Sequence, residues 1–147
     1  MNRIAGDIRN FPRKDALEED IAHTVKDVFD MPVTVERVII FGSWGNGTAK
    51  PFRSDLDVNV VINNPDGDVL SRDFQSQIEF KQQELLANTL LTRSYVLFDG
   101  ADILIHGTNT SMEGLMKASL TDGNKKAYDL TNRVDIHLDS DSAIVGL

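Results

Sequence analysis

An apolar strand that runs straight into Gly-Ser, followed one loop later by a strand opening on Asp-x-Asp, constrains this chain more than any other feature. Val38-Ile39-Ile40-Phe41 leads into Gly42-Ser43, and Gly45 and Gly47 punctuate the turn that follows. Asp55-Leu56-Asp57 then opens an apolar run that reaches Ile62. Side chains alternate across a strand, so Asp55 and Asp57 share one face while Leu56 and Val58 share the other. Two neighbouring carboxylates repel each other and shift each other's protonation unless a cation lies between them. Hard divalent ions such as Mg²⁺ take oxygen ligands of this kind, usually one or two carboxylates together with phosphate oxygens. Glycine lets a backbone come close to a ligand, and N–H groups at a helix start bind phosphate. A phosphate cradle beside metal-binding carboxylates is the kit that chemistry on a nucleoside triphosphate requires.

These residues resemble the signature of the DNA polymerase β-like nucleotidyltransferase superfamily: a hydrophobic residue, Gly-Ser, then an acidic–hydrophobic–acidic–hydrophobic run. The form present, Gly-Ser-x-Gly-x-Gly-Thr ending in Ser54-Asp55-Leu56-Asp57, is most similar to the 2′-5′-oligoadenylate synthetase and archaeal CCA-adding branches. The short chain is similar in size to the minimal nucleotidyltransferases, stand-alone domains often found with a HEPN-type toxin. The resemblance is specific over Val38–Ile62, looser from Asp15 to about Gly107, and absent from the last forty or so residues. It implies an α/β (α+β two-layer) nucleotidyltransferase fold with a small mixed sheet flanked by helices. It implies two Mg²⁺ ions, with Mn²⁺ as a substitute, held by Asp55 and Asp57. It also implies a third carboxylate on a later strand. Asp102, in Ala101-Asp102-Ile103-Leu104-Ile105, is the choice, and Asp135, in Val134-Asp135-Ile136, is the rival. Gly42 and Ser43 are expected at the β- and γ-phosphates, with Gly45 and Gly47 permitting close approach. Lys50 and Arg53 are candidates to neutralise phosphate charge. Trp44 is a stacking or packing residue, and Ser54 is placed to orient Asp55.

Composition narrows the partners. With 147 residues, 41% hydrophobic and 26% charged, the chain suits one globular domain. The motif core spans 33–107, and 108–147 forms a C-terminal extension. There is no cysteine, which excludes thiolate zinc sites and cysteine nucleophiles. No apolar run reaches the ~18 residues needed to cross a bilayer, so a cytoplasmic location is expected. The net charge is −8. Proteins that grip long nucleic acid generally carry a basic face, because phosphate neutralisation drives their affinity. A free nucleoside triphosphate, ATP on the resemblance, and a protein acceptor offering a hydroxyl fit this charge better. No Walker-type Gly-Lys-Ser/Thr is present, which argues against a P-loop ATPase.

Along the chain, Leu17, Ile21, Val25 and Val28 recur at helical spacing over Asp15–Asp30. Val33–Phe41 and Asp55–Ile62 read as strands, and Val69–Leu91 as a long helix with Leu70, Phe74, Ile78 and Leu85 on one face. Tyr95–Phe98 and Asp102–Ile105 read as two strands of a hairpin across Asp99-Gly100, a favoured turn pair. Ser111–Leu120 is an expected helix and Arg133–Leu138 an expected strand. If Met112, Leu115 and Met116 were exposed, they would mark an interface. That would favour a second reading, an antitoxin-type binding protein that neutralises a HEPN-type ribonuclease, with or without adding AMP to it. Self-association is compatible with either reading.

Overall fold

Runs of β-branched residues set the sheet, and a helical stripe of aliphatic residues covers one face of it. The computed structural model describes residues 14–29, 34–42, 55–64, 67, 69–93, 96–120, 126–139 and 143–147. Among them, helix α1 (Lys14–Phe29) precedes strands β1 (Thr34–Phe41) and β2 (Asp57–Asn63). Helix α2 (Arg72–Asn88) and the single turn α3 (Leu90–Arg93) lead to β3 (Ala101–His106). Helix α4 (Met112–Ser119) and strands β4 (Lys126–Asp129), β5 (Val134–Leu138) and β6 (Ile144–Val145) complete the order. The strands form one mixed sheet, ordered β3-β2-β1-β4-β5-β6. Among the described strands only β2 and β3 run parallel; the other pairs are antiparallel.

Each face of the sheet has its own core. Val38, Ile40, Val58, Val60, Ile62 and Ala101 pack with Leu17, Ile21, Val25 and Phe29 of α1 and with Phe74 and Leu85 of α2. On the opposite face, Ile39, Phe41, Val61, Ala127 and Ile136 pack with Met116 and Leu120 from α4 and its C-terminal end. The alternation along β1 and β2 therefore feeds two cores, each fully buried aliphatic side chain contributing about 1.5–3 kcal/mol. Ser71 caps α2 by accepting from the Phe74 N–H at 3.1 Å, and Ser111 caps α4 by accepting from the Gly114 N–H at 3.0 Å. Lysine 81 donates to the Val28 carbonyl at 2.8 Å, and the Thr92 hydroxyl donates to Asp20 at 2.7 Å. These two bonds tie α2 and α3 to α1.

Three expectations are corrected. The long helix does not run through to Leu91: it stops at Asn88, where the Thr89 hydroxyl folds back onto the Leu85 carbonyl at 2.7 Å, and a separate turn follows. The Asp99-Gly100 hairpin does not form. Leu97 makes a single parallel bridge to Asp55, and Ala101 pairs in parallel with Val58. Both flanks of Asp99-Gly100 thus lie along the same side of β2. Three residue steps on the β2 side oppose four on the other, so the extra residue bulges and Gly100 takes φ +129. A dipeptide signal is local, and here the tertiary pairing overrides it. Met112, Leu115 and Met116 do not form a surface patch: Met116 is fully buried and the other two are half-buried against the second core.

The C-terminal residues join the sheet through a buried charge. Strands β4 and β1 pair over only two positions, Ile39 with Asp129 and Ile40 with Tyr128. Asp129 has no solvent exposure and meets the Arg37 guanidinium at 2.6 Å. Its carboxylate also accepts from the Thr131 N–H at 2.8 Å and the Asn132 N–H at 3.2 Å. The Thr131 hydroxyl in turn accepts from the Val38 N–H at 2.8 Å. At the other end of the sheet, Glu36 accepts from the Asn63 amide at 2.7 Å and pairs with His106 at 2.8 Å. Burial alone would raise the Glu36 carboxyl, but the hydrogen bonds from His106 and Asn63 hold it below its ordinary value. Histidine 106 is therefore engaged structurally, and the exposed His23 pairs with Asp27 one turn along α1.

Candidate active site

The two halves of the Gly-Ser and Asp-x-Asp pattern meet at the end of β1. Phe41 is the register partner of Asp57, so the residue after it, Gly42, arrives beside the Asp57 carboxylate. Gly42 is buried and has φ +67, and a Cβ built on it would stand 2.7 Å from Asp57 Oδ2. Glycine is needed there twice over, for the left-handed backbone and for the room that Asp57 occupies. Gly42→Ala is expected to cost about 1–2 kcal/mol of stability from the backbone alone. It should also lower kcat about 10²-fold by displacing the carboxylate. Thermal melts and steady-state kinetics check both, and an alanine variant with wild-type kcat would show that this contact does not matter.

Strands β2 and β3 bring the next carboxylate to the same place. Asp102 is the register partner of Asn59, and paired residues of a parallel ladder share a face. Ala101, Ile103 and Ile105 face the first core, so Asp102 takes the opposite face, as Asp57 does. A cleft of about 300 Å³ is lined by Asp57, Asp99, Gly100, Ala101, Asp102 and Gln82, with Leu56 and Val58. Asp55 sits just ahead of β2, in its bridge to Leu97. Burial raises the Asp57 carboxyl above its ordinary value, and the negative charges of Asp55, Asp102 and Asp99 add to the rise. Asp135 stands on β5, three strands away from β2. Ser43, Gly45, Gly47, Lys50 and Arg53, like Trp44 and Ser54, lie outside the described residues.

Two residues of the cleft are not singled out by sequence reasoning. Asp99 reads as a turn residue, yet its charge reaches Asp57. Gln82 reads as one of several glutamines on the polar side of α2. Its amide instead grips the backbone of Ala101, accepting from the N–H at 3.0 Å and donating to the carbonyl at 2.5 Å.

The donor set is hard oxygen concentrated at one spot, and the crowding of negative charge there helps to raise the Asp57 carboxyl. That chemistry suits a divalent cation. Among the described residues no three acidic or histidine side chains form a closed metal-binding group. Mg²⁺ does not need one, since it keeps waters and takes phosphate oxygens alongside one or two carboxylates.

The nucleotidyltransferase domain family matches residues 20–95, just over half of the chain. The chain belongs to that family. The matched span carries the latter part of α1 and all of β1, β2, α2 and α3, and with them Gly42, Asp55 and Asp57. This nucleotidyltransferase is a transferase of the polymerase β-like type, and its fold is the α+β arrangement with a mixed sheet that the resemblance implies. No curated protein and no solved structure matches it. Asp102 lies beyond the matched span, so its place beside Asp57 comes from the β2–β3 pairing and the cleft they share. Among the described residues no helix is long and apolar enough to cross a membrane.

Proposed function

We infer that this nucleotidyltransferase moves a nucleoside monophosphate from an NTP, ATP first among them, to a hydroxyl acceptor and releases pyrophosphate. The observation that carries the reading is the convergence of Asp57 and Asp102, from adjacent parallel strands, on one cleft beside Gly42. In this reading Asp55, Asp57 and Asp102 hold divalent metal, two Mg²⁺ ions or Mn²⁺ in their place. Gly42 and Ser43 receive the β- and γ-phosphates, Gly45 and Gly47 let the backbone close on them, and Lys50 and Arg53 offset their charge. Divalent metal held there would supply Lewis-acid polarisation of the acceptor hydroxyl and charge screening of the triphosphate. The acceptor oxygen forms the new bond to the α-phosphorus as the bond to the β-phosphate oxygen breaks, and pyrophosphate leaves with the electron pair. The hydroxyl proton passes to a carboxylate of the set, and this reading assigns that role to Asp102. The protein contributes positioning and charge rather than a covalent intermediate.

The acidic balance of the chain, −8 overall, favours a protein or small-molecule acceptor over long nucleic acid. The antitoxin-type alternative with a HEPN-type partner loses its proposed contact set, because Met112, Leu115 and Met116 pack inward. The test is incubation of the purified protein with each α-³²P-labelled NTP, Mg²⁺ or Mn²⁺, and a host lysate. Metal-dependent label on a protein, RNA or small molecule is the expected result. Absence of label with all four nucleotides would overturn it.

A further inference from the structure

We propose that Gln82 is a positioning residue for the Asp102 carboxylate, holding the start of β3 in register so that Asp102 meets Asp57. The inference rests on Asp102 being a metal-binding carboxylate of the cleft. Its own basis is the grip of Gln82, inside the matched span, on Ala101 and hence on Asp102, both beyond it. Ala101 is the first residue of β3, and Asp102 follows it directly. On one side Ala101 is paired with Val58 of β2. On the other, the Gln82 side chain both accepts from the Ala101 N–H and donates to the Ala101 carbonyl. A side-chain amide carries one acceptor and two donors, so it can make the same pair of bonds that a neighbouring strand would make.

The chain entering β3 needs such a fixture. It comes through the bulge at Gly100, whose positive φ belongs to a flexible residue type. The fit is close: a Cβ on Gly100 would stand 2.5 Å from Gln82 Oε1. Gln82 also lines the cleft that Asp57 and Asp102 share. The helix that carries it is anchored independently, with Phe74 and Leu85 in the first core and Lys81 bonded to the end of α1. Gln82 thus transmits the position of a packed helix to the peptide next to Asp102. Groups that orient metal-binding side chains in this indirect way typically affect metal affinity or activity about 10–100-fold.

The test uses the full chain and Mn²⁺ alone as the probe, titrated by electron paramagnetic resonance, with circular dichroism and thermal melts of every variant. Gln82→Ala should need about tenfold or more Mn²⁺ for half-saturation, in the same direction as Asp102→Asn, while its circular dichroism stays that of the wild type. Gln82→Met, of similar length but without donor or acceptor, should shift the titration likewise and guards against a cavity effect. A merely structural residue would lower the melting point or the amplitude of binding and leave the half-saturation unchanged. Folded variants that bind Mn²⁺ within twofold of wild type would overturn the proposal alone. Failure of both variants to fold would also overturn it, by making Gln82 a general structural residue. Wild-type protein that binds no Mn²⁺ would remove the metal reading of the site, and this proposal with it.

Discussion

Replacing Asp55 and Asp57 together by asparagine is expected to lower nucleotidyl transfer by about 10³-fold or more, since losing even one preorganised charge-stabilising group commonly costs ~10²–10³. The fold should survive. Burial first, and then the charges of Asp55, Asp102 and Asp99, raise the Asp57 carboxyl above its ordinary value of 3.8. The folded state therefore holds that proton more tightly than the unfolded chain does. The charge on Asp57 opposes folding, an effect absent well below pH 3.8 and complete once the pH exceeds the raised folded value. The metal-free double variant should consequently melt at the wild-type temperature or a degree or two above it at neutral pH, a small change because the carboxyl still reaches solvent. Added Mg²⁺ should stabilise the wild type and not the variant, because only a state that binds the ion gains from it. Initial rates with labelled nucleotide and paired melts with and without metal decide this. A double variant with near wild-type turnover would end the assignment of these two residues.

The largest loss of stability should come from Asp129→Ala. The substitution leaves the Arg37 guanidinium without its partner and strips acceptors from the Thr131 and Asn132 N–H groups. Breaking one side of a buried ion pair costs about 3–5 kcal/mol, a large share of the ~5–15 kcal/mol that holds a domain together. The melting point should fall by about 10 °C or more, and urea unfolding should show a lower midpoint. Asp129→Asn keeps an acceptor for the turn and loses the charge, so it should fall between. A loss below about 1 kcal/mol in the alanine variant would mean that β4 is held chiefly by its apolar contacts.

Much of this architecture is legible in the residue pattern. The aliphatic stripe of Leu17, Ile21, Val25 and Val28 announces α1, and all four are buried. The Val/Ile runs announce β1 and β2, whose alternation decides which residues enter which core. The parts that escaped reading are those fixed by distant partners. Ala101-Asp102-Ile103 and Val134-Asp135-Ile136 look alike locally, so the choice of Asp102 leans on the resemblance, and only strand order sets it beside β2 and Asp135 three strands off. Lys126-Ala127-Tyr128-Asp129 has too few apolar residues to declare a strand, and it becomes one because Asp129 is pinned by Arg37 and its own turn. Gln82 sits among exposed glutamines at helical spacing, and nothing in α2 itself shows that it reaches the backbone at Ala101.

The placement of β3 has a consequence for how the molecule behaves in crowded solution. It is the outermost strand on its side of the sheet, the position from which proteins recruit stray chains and grow fibrils. Yet the outward backbone of Ala101 is taken by the Gln82 amide, and the Ile105 carbonyl accepts from the Thr110 hydroxyl at 3.1 Å. A second chain seeking to zip onto β3 would have to evict both side chains first. The fixture that holds Asp102 in place therefore also discourages coagulation along the margin where the carboxylates sit.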